Sequence, residues 1–172
     1  MKIQDQQDCE GSIRRINQLF ECGIFDAKNS SHVLYNSAYI ELMICLRDLM
    51  HKTEQYAARV DFTDDILVNK YVKDVHDAVT THRDACCHIN SFKHRFDDQG
   101  NRGAFNICYG KGNLMKINDV ELRSDYEDDV AIFFGTNRLY MQRHIIRAFD
   151  EFCERLVPIL QASIVAPDGC NE

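Results

Sequence analysis

The chain has 172 residues, 45% of them apolar and 27% charged, with two prolines and eight glycines. One domain over residues 1–172 is the expectation, since a chain of this length buries roughly 70% of its unfolded surface around one core. The net charge of −7 argues against a general nucleic-acid coat, because phosphate binding needs clustered Lys and Arg, yet it is compatible with a small basic cleft in an acidic body.

The opening stretch MKIQDQQDCEGSIRRINQLF is polar and lacks the apolar core of a signal peptide. No run of about 18 apolar residues occurs, so no membrane span is expected. Eight cysteines (9, 22, 45, 86, 87, 108, 153 and 170) show no C-x-x-C spacing and read as reduced thiols of a cytoplasmic protein.

In chain order, a first helix is predicted from about 7 to 22, with Ile13, Ile16, Leu19 and Phe20 on one side and Gly23 as a stop. Ser30 or Ser31 is placed to cap a second helix, whose Tyr35, Tyr39, Leu42, Leu46 and Leu49 alternate steps of four and three. DFTDD (61–65) supplies a polar connection and another cap. A third helix is predicted from about 66 to 95, with Val72, Val75, Val79, Ala85, Cys86 and Ile89 on its apolar side. DDQGNRG (97–103) is a loop by composition.

The pattern then changes. AFNICY (104–109) and LMKINDVEL (114–122) are strand candidates joined through YGKGN, and DVAIFFG (129–135) with RLYM (138–141) form a further pair around GTN. A last amphipathic helix from about 142 to 162 carries Ile145, Phe149, Phe152, Leu156 and Leu160, ahead of a frayed tail APDGCNE. The expected fold class is mainly α: a helical bundle with a small antiparallel β insertion, about 104–141, before the C-terminal helix.

Within the third predicted helix stands RDACCH (83–88). At 100° per residue, Asp84 and His88 lie together opposite the apolar stripe, with Asp77, Thr80, Thr81, Ser91 and Arg95 on the same arc. Arg83 flanks the stripe, about 140° from His88, so the two meet at one ligand only if the arginine sweeps round, the helix distorts or a second protomer completes the site. Adjacent Cys86 and Cys87 diverge by about 100° and are poorly placed to clamp one ion with His88, so no metal and no cofactor is expected.

The chemistry of the cluster suits RNA cleavage. A histidine near its ordinary pKa of about 6.5 exchanges protons at neutral pH, and an arginine fork fits a phosphate gaining charge. Asp84 can orient either. A second pair, Arg138 and His144, has similar spacing at a strand-to-helix junction. Arg143 and His144 are read there as surface of the first turn, His82 as a core or boundary histidine, and Lys93, His94 and Arg95 as a short basic run able to touch RNA phosphates. YGKGN lacks the G-K-[ST] of a phosphate loop.

Arg83-Asp84-x3-His88 near the end of a long helix resembles the R-[polar]-x3-H signature of the HEPN superfamily, the nucleotide-binding domains of higher eukaryotes and prokaryotes. The resemblance covers the signature and the helical plan from about 30 to 95, more loosely the helix at 142–162, and EDDVAIFFGTNRLYMQRHI (127–145) resembles bacterial HEPN-like proteins. The β insertion departs from the minimal HEPN plan. The resemblance implies a homodimer with the two signature helices facing across a cleft, and a metal-independent endoribonuclease acting in toxin–antitoxin systems, antiphage defence or RNA processing. A nucleotidyltransferase-type antitoxin is then a partner. Arg83 would bind the scissile phosphate, His88 would be the acid or base, and Asp84 would fill the polar second position. The alternatives are a non-catalytic HEPN-like module binding RNA, nucleotide or a protein, and a helical scaffold with a solvated groove.

Overall fold

The computed structural model describes residues 1–88, 90–97, 100–117 and 120–165. In chain order these form α1 (Ile3–Glu21), α2 (Tyr35–Tyr56), α3 (Val75–Cys87), β1 (Asn106–Tyr109), β2 (Gly112–Ile117), β3 (Val120–Ser124), β4 (Val130–Phe134), β5 (Asn137–Tyr140) and α4 (Arg147–Val165). Short 3-10 turns stand at Ala27–Asn29 and Phe92–His94, and a π-helical turn, Met141–Ile146, leads into α4. Among the described residues no helix is long and apolar enough to cross a membrane.

The expected mainly-α bundle of HEPN type, with its β segment as an insertion, is overturned. The molecule is mixed α/β, about 53% helix and 16% strand, and the strands help to build the core. β4 shows the reason, because successive side chains of a strand point to opposite faces. Ile132 and Phe134 enter the main core with Tyr39, Leu42, Leu46, Val79 and Phe152 of the helices. Ala131 and Phe133 enter a second core with Phe96, Leu122 and Tyr140. A strand buried on both faces is a central layer, and Phe134 stacks on Tyr39 of α2 with ring centroids 6.3 Å apart.

The sheet order is β1-β4-β5, all antiparallel, and β2-β3 is a separate hairpin. The β4–β5 pair around GTN is as expected, with Ala131 opposite Tyr140 and Phe134 opposite Asn137. LMKINDVEL, expected as one strand beside AFNICY, is instead divided between β2 and β3. β1 pairs with β4, Asn106 opposite Phe133 and Tyr109 opposite Val130. Gly110 turns the chain at φ +70, and its amide donates to the Asp129 carbonyl at 2.9 Å, tying the end of β1 to the start of β4.

Among the helices, the α2 stripe is buried as expected: Tyr35, Tyr39, Leu42, Leu46 and Leu49 are all in the core. Neither Ser30 nor Ser31 caps it; Leu34 precedes its first turn, with no side-chain cap. The third helix is much shorter than expected. It starts at Val75 under Asp74, whose carboxylate accepts the Asp77 amide at 2.9 Å, while residues 66–74 are irregular. Ile89 and the tail 166–172 lie outside the described residues.

Candidate functional site

α3 presents Val75, Val79, His82 and Ala85 to the core, which turns Asp77, Thr80 and Asp84 to the opposite side. The helix stops when His88 takes extended dihedrals, φ −128 and ψ 92. A helix end leaves carbonyls without intrahelical donors, and the Nε2–H of His94 meets that need at Ala85 O, 2.9 Å, and His88 O, 3.2 Å. The 3-10 turn at Phe92–His94, started by the Ser91 hydroxyl accepting the Lys93 amide, thus folds back on the helix it follows. Gly135 braces the turn from the sheet side: it has φ +55, and a Cβ there would stand 2.6 Å from the carbonyl oxygens of Lys93 and Arg95.

The fold-back places Lys93 Nζ 2.6 Å from Asp84 Oδ2, and Arg83 Nη1 donates to Asp84 Oδ1 at 3.3 Å. Burial raises the carboxyl pKa of Asp84. The Lys93 hydrogen bond and charge, and then those of Arg83, outweigh it and hold the group below the ordinary carboxylate value. Asp84, His88, Lys93, Thr80 and Ser91 share an open cleft of about 720 Å³. Tyr71 and Phe92, 61% and 55% exposed, also line it, with ring centroids 5.9 Å apart. Lys70 Nζ sits 4.7 Å from the Tyr71 ring, and Arg95 lines the adjoining hollow with Lys70 and Thr136.

Such an arrangement offers aromatic faces for unstacked bases, cations for phosphates and one imidazole able to move protons. Arg83 does not line the cleft; its Nε is buried without a partner. Within one protomer His88 lines the cleft and Arg83 does not. Of the basic run, Lys93 lines the cleft and Arg95 the hollow beside it, whereas His94 is buried at 5% exposure as the helix-end donor described above and offers no surface to RNA. Tyr71 and Phe92 were missed by sequence reasoning; an exposed aromatic in the segment read as helix was their only signal.

The other candidates are structural. His82 is fully buried, its Nδ1 2.9 Å from the Tyr39 hydroxyl, and burial pushes its pKa down to about 3. His144 is also fully buried. Its Nδ1 accepts the Tyr140 amide and its Nε2 donates to Asp64 O, so the expected surface position is corrected to a core one. Arg143 ion-pairs with Asp128 and Asp129 and covers the Tyr126 ring. Cys86 turns inward, burial pushing its thiol up to about 12, while Cys87 is exposed; all seven described cysteines are unpaired. The described residues that come together as metal ligands do is a different set, His51, Glu54 and His76, at the opposite end of α3.

Comparison with family models, with curated proteins and with solved structures finds no match for this chain.

Proposed function

We propose that the chain is a metal-independent endoribonuclease acting as a homodimer through the cleft at the C-terminal end of α3. One observation carries the reading: Asp84, His88 and Lys93 are gathered in an open cleft that Tyr71 and Phe92 also line. The signature Arg83-Asp84-x3-His88 supports it by its resemblance to HEPN ribonucleases, independently of the fold. His88 takes the proton from a ribose 2′-hydroxyl or gives one to the leaving 5′-oxygen, and Lys93 meets the phosphate charge with Asp84 holding it in place. Cleavage by the 2′-oxygen needs both a base and an acid. One protomer supplies a single exposed histidine to the cleft, so a two-fold mate carrying a second His88 and a second Arg83 completes the set. Leu67, Val68, Tyr71 and Phe92 are all exposed, apolar surface of the kind a mate covers.

The test is cleavage of single-stranded RNA by purified protein in EDTA. His88→Ala and Arg83→Ala should each lower the rate by roughly 10²-fold or more, and products should carry 2′,3′-cyclic phosphate and 5′-hydroxyl ends. Undiminished cleavage by His88→Ala would overturn the reading. The absence of Arg83 from the cleft lining, where it pairs with Asp84 from behind, favours a second one: a module that binds RNA without cutting it. Binding that is lost in Lys93→Ala and Tyr71→Ala, with no turnover in any buffer, would establish that instead.

A further inference from the structure

We propose a second site, for a divalent transition-metal ion of the zinc class, on His51, Glu54 and His76. His51 and Glu54 are one turn apart on α2, and residues three apart on a helix are surface neighbours. His76 comes from the first turn of α3. One ring nitrogen of each histidine and one carboxylate oxygen of Glu54 lie within 4.8 Å of one another. Both Nδ1 atoms stand 4.0 Å from Glu54 Oε2. Ligand atoms around a tetrahedral zinc are about 3.4 Å apart, given bonds of about 2.1 Å, so small side-chain rotations close the triangle.

Two independent observations point to an ion. His76 is 2% exposed, and its Nδ1, aimed at Glu54, has no hydrogen-bond partner. Buried polar atoms are almost always satisfied, and those that are not call for a bound water or ion. Charge is the other. Arg59 donates to Glu54 at 3.0 Å, to Asp74 at 2.9 and 3.1 Å and to Asp77 at 2.8 Å. Three carboxylates thus stand around one guanidinium beside the two imidazoles. Arg59 takes Oε1 of Glu54 and leaves Oε2 to the imidazoles, the outer hydrogen bonding that orients a metal-binding carboxylate.

Imidazole with carboxylate suits zinc, cobalt and nickel. The side chains of His51 and Glu54 are 43% and 42% exposed, so the remaining coordination positions face water. The ion would pin the end of α2 to the start of α3, about 18 Å along the helix from His88.

The test uses the full chain, stripped with EDTA, dialysed and titrated with Co(II). One equivalent should bind with visible d–d absorption and no thiolate charge-transfer band, Zn(II) should displace it, and either metal should raise Tm. His51→Ala and Glu54→Gln, changed at half-exposed positions where folding is retained, should weaken binding by roughly 10–100-fold. His76→Gln should abolish it, and if that variant does not fold the other two decide. Absent d–d bands with an unchanged Tm, a thiolate band, or full affinity in His51→Ala would each overturn the site. RNA cleavage is expected to be the same with and without the metal, which separates this site from the ribonuclease reading.

Discussion

Two arginine–histidine pairs of nearly equal spacing stand in this chain, and they have opposite environments. Arg138 is 9% exposed at its side chain and donates to Asp125 at 2.8 Å and to Arg123 O at 2.9 Å. His144, fully buried, joins Tyr140 to Asp64. Arg83 is about one-third exposed, and His88 is exposed at a helix end. The first pair is closed into the fold, His144 bonded through both ring nitrogens and Arg138 held by Asp125 and the Arg123 carbonyl. The second has an open imidazole and an aspartate clasped by two cations. Spacing does not tell them apart; what decides is whether the surrounding elements close over the ring.

The comparison can be broken first by acid. Burial depresses the pKa of His144 to about 4 from an ordinary 6.5. The unfolded chain therefore takes up a proton between those values that the folded one refuses. The stabilisation is complete above about pH 6.5 and is lost as pH falls toward 4, on the order of 3 kcal/mol from this ring. His82, held lower still by burial, adds a loss over the same range that continues below pH 4. Urea unfolding between pH 7 and about pH 4 should show this slope, and His144→Gln should flatten it. An unchanged slope in that variant would mean the ring is not buried neutral.

Next in size is Asp129, whose carboxylate accepts the amides of Val130, Gln142 and Arg143 and the Nη1 of Arg143. It caps the turn that carries His144. Asp129→Ala should cost about 2–3 kcal/mol, more than a single helix cap, because three amides and the Arg143 guanidinium lose one shared acceptor. Gly135→Ala sharpens the other side of the comparison. It should cost about 2 kcal/mol through its positive φ and the crowding of Lys93 and Arg95, and it should weaken RNA binding out of proportion, since it displaces the turn that carries Lys93. Equal RNA affinity in a folded Gly135→Ala protein would separate the turn from the cleft.

Burial explains how much was legible in advance. The α2 stripe and the stripe of α4 were readable because an entire helix face enters the core, so periodicity and environment coincide. Residues 66–74 were misread as helix because Ile66, Val72 and the apolar residues between them mimic the spacing. There Asn69 Oδ1 accepts the amides of Tyr71 and Val72, a local alternative to helical hydrogen bonding, and Asp74 then caps the true start. The partner of β1 could not be read, since it is set by long-range packing of a strand buried on both faces. On the cleft, His88 lies past the last helical residue, whereas the turning of Asp84 away from the apolar stripe came straight from helical geometry. The fold-back of Lys93 did not, because it depends on His94 finding the carbonyls at the helix end. His51 and Glu54 are a readable one-turn pair, but their meeting with His76 follows only from how α2 lies on α3.

The smallest expected change is at His88 itself. Its ring makes no hydrogen bond to a described residue, and its backbone already ends the helix, the amide donating to Asp84 O at 3.1 Å. His88→Ala removes exposed atoms and leaves that bond in place, so stability should stay within about 0.5 kcal/mol of the parent. The same substitution at His144 strips the Tyr140 amide of its acceptor and opens a cavity beside Phe62, and should cost several times more. Paired urea titrations of the two variants measure the contrast directly. A His88→Ala protein destabilised as much as His144→Ala would make His88 a structural residue as well, and any loss of RNA cleavage in it would then have to be read as a loss of folded protein.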